Sequence, residues 1–178
     1  MESIAILGIG NPYVSDDGVG VYVVRELKEK INDQRVVCTE LTVSGLDALE
    51  HLTGFDGAII IDAAKTGIAP VGHLWTISQV QASSLSHSLS LHTLGLQASI
   101  RLGSMMGLPI PLDMTIFAVE VSDTETFHEG CTPEVELAIP NLTSIIIRFL
   151  KSKLPDLRCS QQTHEEQQVD GSQRPYIA

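Results

Sequence analysis

Apolar residues in this chain fall into short runs, and the spacing within the runs switches between continuous and helical. Residues 3–7 are a short apolar run that ends in Gly8, Gly10, Asn11 and Pro12, which predicts a buried strand followed by a turn. From Asp17 onward Val19, Val23, Val24, Leu27 and Ile31 recur at helical spacing, with Ser15 or Asp16 as N-cap and Lys28 and Lys30 in the last turns. The unit then repeats, with a strand over 36–43 and a short amphipathic helix that Ser44 and Asp47 open and that stops near Gly54. Gly-Ala-Ile-Ile-Ile at 57–61 has no polar face, so it predicts a central strand of a parallel sheet, with Asp62 immediately after it. Further on, 71–78 predict a strand, 82–90 a Ser-rich loop, 92–106 a helix carrying Leu94, Ala98 and Leu102 on one face, and 114–121 another strand. Thr132, Pro133 and Glu134 open a last helix that runs past Phe149, and Pro140 inside it must kink it or remove a bond.

Strand and helix alternating in this order predict an α/β fold, a single doubly wound domain whose mostly parallel central sheet is flanked by helices. A length of 178 residues suits one such domain, spanning residues 1–154. After Leu154 the composition changes, and residues 155–178 read as a hydrophilic tail without fixed structure. The 22 acidic residues against 11 basic ones leave a net charge of −11, which repels phosphate backbones and anionic headgroups and argues against nucleic-acid and membrane partners. No apolar run reaches the roughly 18 residues of a spanning helix, and residues 1–10 lack a signal-peptide pattern, so the expected location is cytoplasmic. Cys38, Cys131 and Cys159 are far apart and form no CxxC pair, which predicts reduced thiols.

In an open parallel sheet, ligands collect outside the carboxyl ends of the strands where the winding reverses. Asp17, Asp62 and His92 fall at such places. Each has an ordinary structural explanation: an acid in a first helical turn, an acid closing a strand on turn amides, a helix-start histidine satisfied by backbone. Jointly, two carboxylates and an imidazole make an O,O,N metal set with open positions for substrate or water. The loop Gly8-Ile9-Gly10-Asn11 is not a dinucleotide turn, because the third glycine of GxGxxG would stand where Tyr13 is. A magnesium pocket for phosphoryl transfer, built on Asp16, Asp17 and Asp62, competes with the first reading but leaves His92 without a role. A non-catalytic α/β binding module is the third possibility.

Four segments carry a family resemblance. Residues 8–20 read Gly-Ile-Gly-Asn-Pro-Tyr-Val-Ser-Asp-Asp-Gly-Val-Gly, a strand ends in Ile-Ile-Ile-Asp62-Ala63, and Leu91-His92-Thr-Leu-Gly95-Leu96 and Gly130-Cys-Thr132-Pro133-Glu134 follow. In content, order and separation they resemble the NiFe-hydrogenase maturation endopeptidases over residues 3–152. The resemblance implies a protease that removes the C-terminal extension of a hydrogenase large-subunit precursor after nickel insertion. It also implies that Asp17, Asp62 and His92 contact the metal and serve catalysis, with nickel supplied by the substrate. The family carries either Glu or Asp at the first of these positions. Glu40 stands where another acid often lies near the cleft, and the tail after Leu154 has no counterpart. Two routes stay open for the chemistry, a metal polarising the carbonyl and a carboxylate activating water.

Overall fold

The computed structural model describes residues 3–42, 45–78 and 91–160, with the side chains of 91–94 outside that description. Strand β1 (Ile4–Ile9) is buried at every position, as an apolar run must be when it has neighbours on both edges and helices on both faces. It pairs in parallel with β2 (Val36–Leu41) on one side and β3 (Gly57–Ala64) on the other. Strand β5 (Asp113–Glu120) lies parallel beyond β3, and β4 (Leu74–Ser78) closes that edge antiparallel. The resulting order, β2-β1-β3-β5-β4, reverses the winding between β1 and β3.

Helices α1 (Val19–Lys30), α2 (Asp47–Leu52), α3 (Leu91–Met105) and α4 (Pro133–Lys153) cover the sheet. Strand alternation divides the core into two layers. Ile4, Ile6, Ile59, Ile61 and Phe117 pack with Val23 and Leu27 of α1 and with Leu142, Ile146 and Leu150 of α4. On the other face Leu7, Ile9, Ile60, Ala64 and Ile116 pack with Ala48 and Leu52 of α2 and Leu96 of α3. Pro140 has no N–H to donate, yet α4 runs unbroken through it because the apolar stripe on either side holds the helix down.

Several local expectations change. No side-chain cap opens α1; Ser15–Gly18 form a 3-10 turn, and Gly18 is the capping residue. Strand β2 stops at Leu41, and α2 begins at Asp47 with Leu46 as its cap; Ser44 lies outside the described residues, as does the Ser-rich 82–90 segment. Strand β4 starts only at Leu74, because Pro70 to His73 form a turn in which Gly72 has φ +83°. Strand β3 continues past Ile61 to Ala64, so Asp62 sits within it rather than after it.

Packing continues past Leu154. Leu157 is buried in the core, Cys159 bridges Ile31, and Ser160 N–H donates to the Lys30 carbonyl at 2.8 Å. Arg158 N–H donates to Asp33, and Arg35 pairs with Asp156 at 3.1 Å. Residues 155–160 are thus docked across the α1–β2 turn, held by one apolar anchor and backbone pairing that the polar average of 155–178 conceals. Residues 161–178 lie outside the described residues.

Candidate active site at the switch point

Two glycines allow the loop after β1 to close tightly against the sheet. A Cβ on Gly20 would lie 2.3 Å from the Ile61 carbonyl oxygen and 2.5 Å from that of Ile9, so the start of α1 touches the ends of both β1 and β3. Gly10 has φ +134°, and a Cβ there would lie 1.8 Å from the Asp17 carbonyl oxygen. Asp17 is half-buried in the 3-10 turn, which packs against β3, and its Oδ2 accepts the Asn11 N–H at 2.8 Å.

Asp62 is 1% exposed. Its Oδ1 accepts the Ala63 N–H at 2.8 Å, and strand alternation puts it on the face shared by Ile60, Ala64, α2 and α3. Asp17, in the 3-10 turn that follows β1, and Asp62, within β3, thus belong to the two chain segments that flank the winding reversal, where an open α/β sheet takes its ligands. Position 92 lies in the first turn of α3, one turn before Leu96, which is 1% exposed in the same core layer. The His92 side chain itself lies outside the described residues.

Asp16 behaves differently from its neighbour. It is 0% exposed; Oδ1 accepts the Thr132 N–H at 2.7 Å, and Oδ2 accepts the N–H groups of Ser122 and Asp123 at 3.2 and 3.1 Å. It is neither an N-cap nor part of a three-acid magnesium pocket. Among the described residues, no group of three His, Cys, Asp or Glu side chains is placed to hold a metal ion. Glu40, whose register partner is Gly8, faces α1 and pairs with Arg25 at 3.0 Å and Lys28 at 2.9 Å, on the sheet face opposite Asp62.

Glu120 is a buried acid that the pattern reading overlooked. At 1% exposed, it accepts from Thr66 N–H, Thr66 hydroxyl, Gly67 N–H and the Trp75 indole, at 2.9, 2.6, 2.7 and 3.1 Å. Burial raises its pKa, but these bonds prevail and the net shift is downward. The carboxylate therefore fastens the loop that follows β3, two residues beyond Asp62 in the paired register. Its signal was a lone acid inside the apolar run Phe-Ala-Val-Glu-Val. Nearby, burial with the charges of Asp16 and Glu136 pushes the Cys131 thiol up to about 12, so it is no nucleophile at neutral pH.

Comparison with known proteins gives one consistent result. A family model described as hydrogenase maturation protease matches residues 21–149. Hydrogenase 2 maturation protease of Escherichia coli is 27% identical over 152 residues, 84% of this chain and 92% of its own length. Hydrogenase expression/formation protein HupM of Azotobacter chroococcum is 27% identical over 154 residues, 85% of this chain and 73% of its own length. In structure, the hydrogenase maturating endopeptidase HybD of E. coli superposes with a TM-score of 0.77 at 23% identity, covering 88% of this chain and 96% of that one. HybD of Thermococcus kodakarensis gives 0.71 at 19%, covering 83% and 98%. The structural likenesses establish a shared fold. Among the described residues, no helix is long and apolar enough to cross a membrane.

Proposed function

The chain belongs to the hydrogenase maturation protease family, and from that premise we propose that it removes the C-terminal extension of a hydrogenase large-subunit precursor once nickel has been inserted. The observation that supports this reading is the pair of carboxylates at the winding reversal, Asp17 in the 3-10 turn that follows β1 and Asp62 within β3. Nickel accepts carboxylate and imidazole donors, so Asp17, Asp62 and His92 suit it chemically. Three donors without a thiolate make a modest site. The precursor, holding nickel on its own thiolates, supplies the missing affinity, and the protease completes the coordination and positions the scissile peptide beside it. Nickel is then part of the substrate, and its presence is the checkpoint for trimming. The proposed location is the cytoplasm.

The test is to incubate metal-stripped protease with nickel-loaded or metal-free precursor and measure the intact mass of the product. Shortening only of the nickel-loaded form is expected. Efficient cutting of the metal-free precursor contradicts the checkpoint, and unchanged cutting by His92→Ala removes His92 from the site.

A further inference from the structure

Asp16 and Asp17 are adjacent, yet the chain sends them into opposite surroundings. Ser15 has φ +46°, a left-handed conformation that side chains rarely adopt, and it turns the backbone between Val14 and Asp16. The turn is pinned by Ser15 N–H to the His128 carbonyl at 2.9 Å and Asp16 N–H to the Asp123 carbonyl at 3.0 Å. Asp16 then points inward among the N–H groups of Ser122, Asp123 and Thr132, with the Ser122 hydroxyl at 3.4 Å. A buried carboxylate is costly unless its lone pairs are filled, and here neutral donors from two further segments fill them.

The same two segments are stitched to the β1 loop elsewhere. His128 N–H donates to the Tyr13 carbonyl at 3.0 Å, the Tyr22 hydroxyl donates to the Pro12 carbonyl at 2.9 Å, and Gly130 N–H donates to that hydroxyl at 2.9 Å. Asp16 is the buried centre of this seam. We propose that Asp16 is the positioning residue that aims Asp17: its carboxylate fastens the turn carrying Asp17 to the loop after β5 and to the start of α4. The inference rests on Asp17 being a site residue. Asp16 touches no reacting atom, and it acts by removing the freedom of the residue beside it, which a site held to fractions of an ångström requires.

Asp16→Asn tests this directly, because the amide presents an NH2 group to backbone N–H groups in either orientation. A milder variant is Thr132→Pro. Thr132 has φ −60° and ψ 153°, which proline adopts, and its side chain makes no capping bond, so the change removes one donor to Asp16. The control is Ile146→Val, a fully buried core change in the far half of α4. Each is assayed for melting temperature, kcat and KM on nickel-loaded precursor, well below all melting temperatures. We expect kcat to fall about 10- to 100-fold for Asp16→Asn with little change in KM, as for a residue that orients a metal-contacting group. Thr132→Pro falls less, and Ile146→Val keeps its kcat. Unchanged kcat in Asp16→Asn, or a loss matched by Ile146→Val, overturns the proposal while Asp17→Asn still abolishes cleavage. If Asp16→Asn does not fold, Thr132→Pro decides by the same criterion. Full cleavage by Asp17→Asn means that the reading of the site has failed, and the inference with it.

Discussion

At the carboxyl end of the sheet, Asp16 and Glu120 are buried among backbone N–H groups, hydroxyls and an indole. At the amino end, Asp33 and Asp156 instead grip the Arg35 guanidinium, with Asp33 at 2.7 Å. Both arrangements satisfy carboxylates, but they leave different fields behind. Neutral donors hold an acid without cancelling its charge, so the switch-point end stays negative and suits a substrate that carries a metal cation. In the arginine cluster one guanidinium offsets one of the two carboxylate charges, and the cluster serves to dock residues 155–160 across the α1–β2 turn. One end holds its buried carboxylates on neutral donors alone, and the other pairs them with a cation that helps assemble the fold.

The largest break in that arrangement should come from Gly20→Ala. The new methyl would meet backbone carbonyls of Ile61 and Ile9, at 2.3 and 2.5 Å, rather than a side chain that can move aside. Expected is a loss of about 3 kcal/mol in urea unfolding, with cleavage lost alongside. A wild-type unfolding midpoint would show that α1 can shift away from the two strands without cost.

The amino end is tested by two truncations. Ending the chain after Ser160 should leave urea unfolding unchanged, whereas ending it after Leu154 removes buried Leu157 and should cost about 2 kcal/mol while cleavage continues. Equal stability of the two truncations would mean that residues 155–160 add nothing to the fold.

Acid sharpens the contrast. The Arg35 side chain holds Asp33 well below the usual carboxylate range. A depressed folded-state pKa contributes stability that is complete above the unfolded value near 3.9 and is lost as pH falls toward the folded value. Stability should therefore drop from about pH 4 downward, and Arg35→Met should be less stable at neutral pH but lose less on acidification. Parallel acid curves for the two proteins would show that the pair does not contribute.

The smallest effect is expected from Glu40→Gln. Its partners Arg25 and Lys28 are exposed, so stability should change by about 0.5 kcal/mol or less, and cleavage not at all. A large loss of cleavage would return Glu40 to the cleft.

The strands that frame the carboxyl end were legible in the chain, and the buried acids of the contrast were not. Continuous apolar runs marked β1 and β3 because central parallel strands have no wet face, and the acid beside such a run marked Asp62. What pattern does not encode is direction. Asp16 and Asp17 are identical letters in one turn, and only the left-handed Ser15 and the donors at 122, 123 and 132 send one inward. Glu40 lies near the carboxyl end of β2, at the sheet end where site acids are expected, but period-two alternation turned it to the α1 face. Residues 155–160 were hidden for another reason: a single buried leucine and a backbone bridge give no periodicity to read.

The most direct test of the switch-point site is single-turnover cleavage of nickel-loaded precursor by Asp62→Asn, with its melting temperature taken in the same buffer. The amide keeps the size of a side chain fixed near the carboxyl end of β3 and removes one anionic donor. The predicted result is a rate lower by at least about 100-fold with a melting temperature close to wild type. Wild-type cleavage by Asp62→Asn would contradict the account.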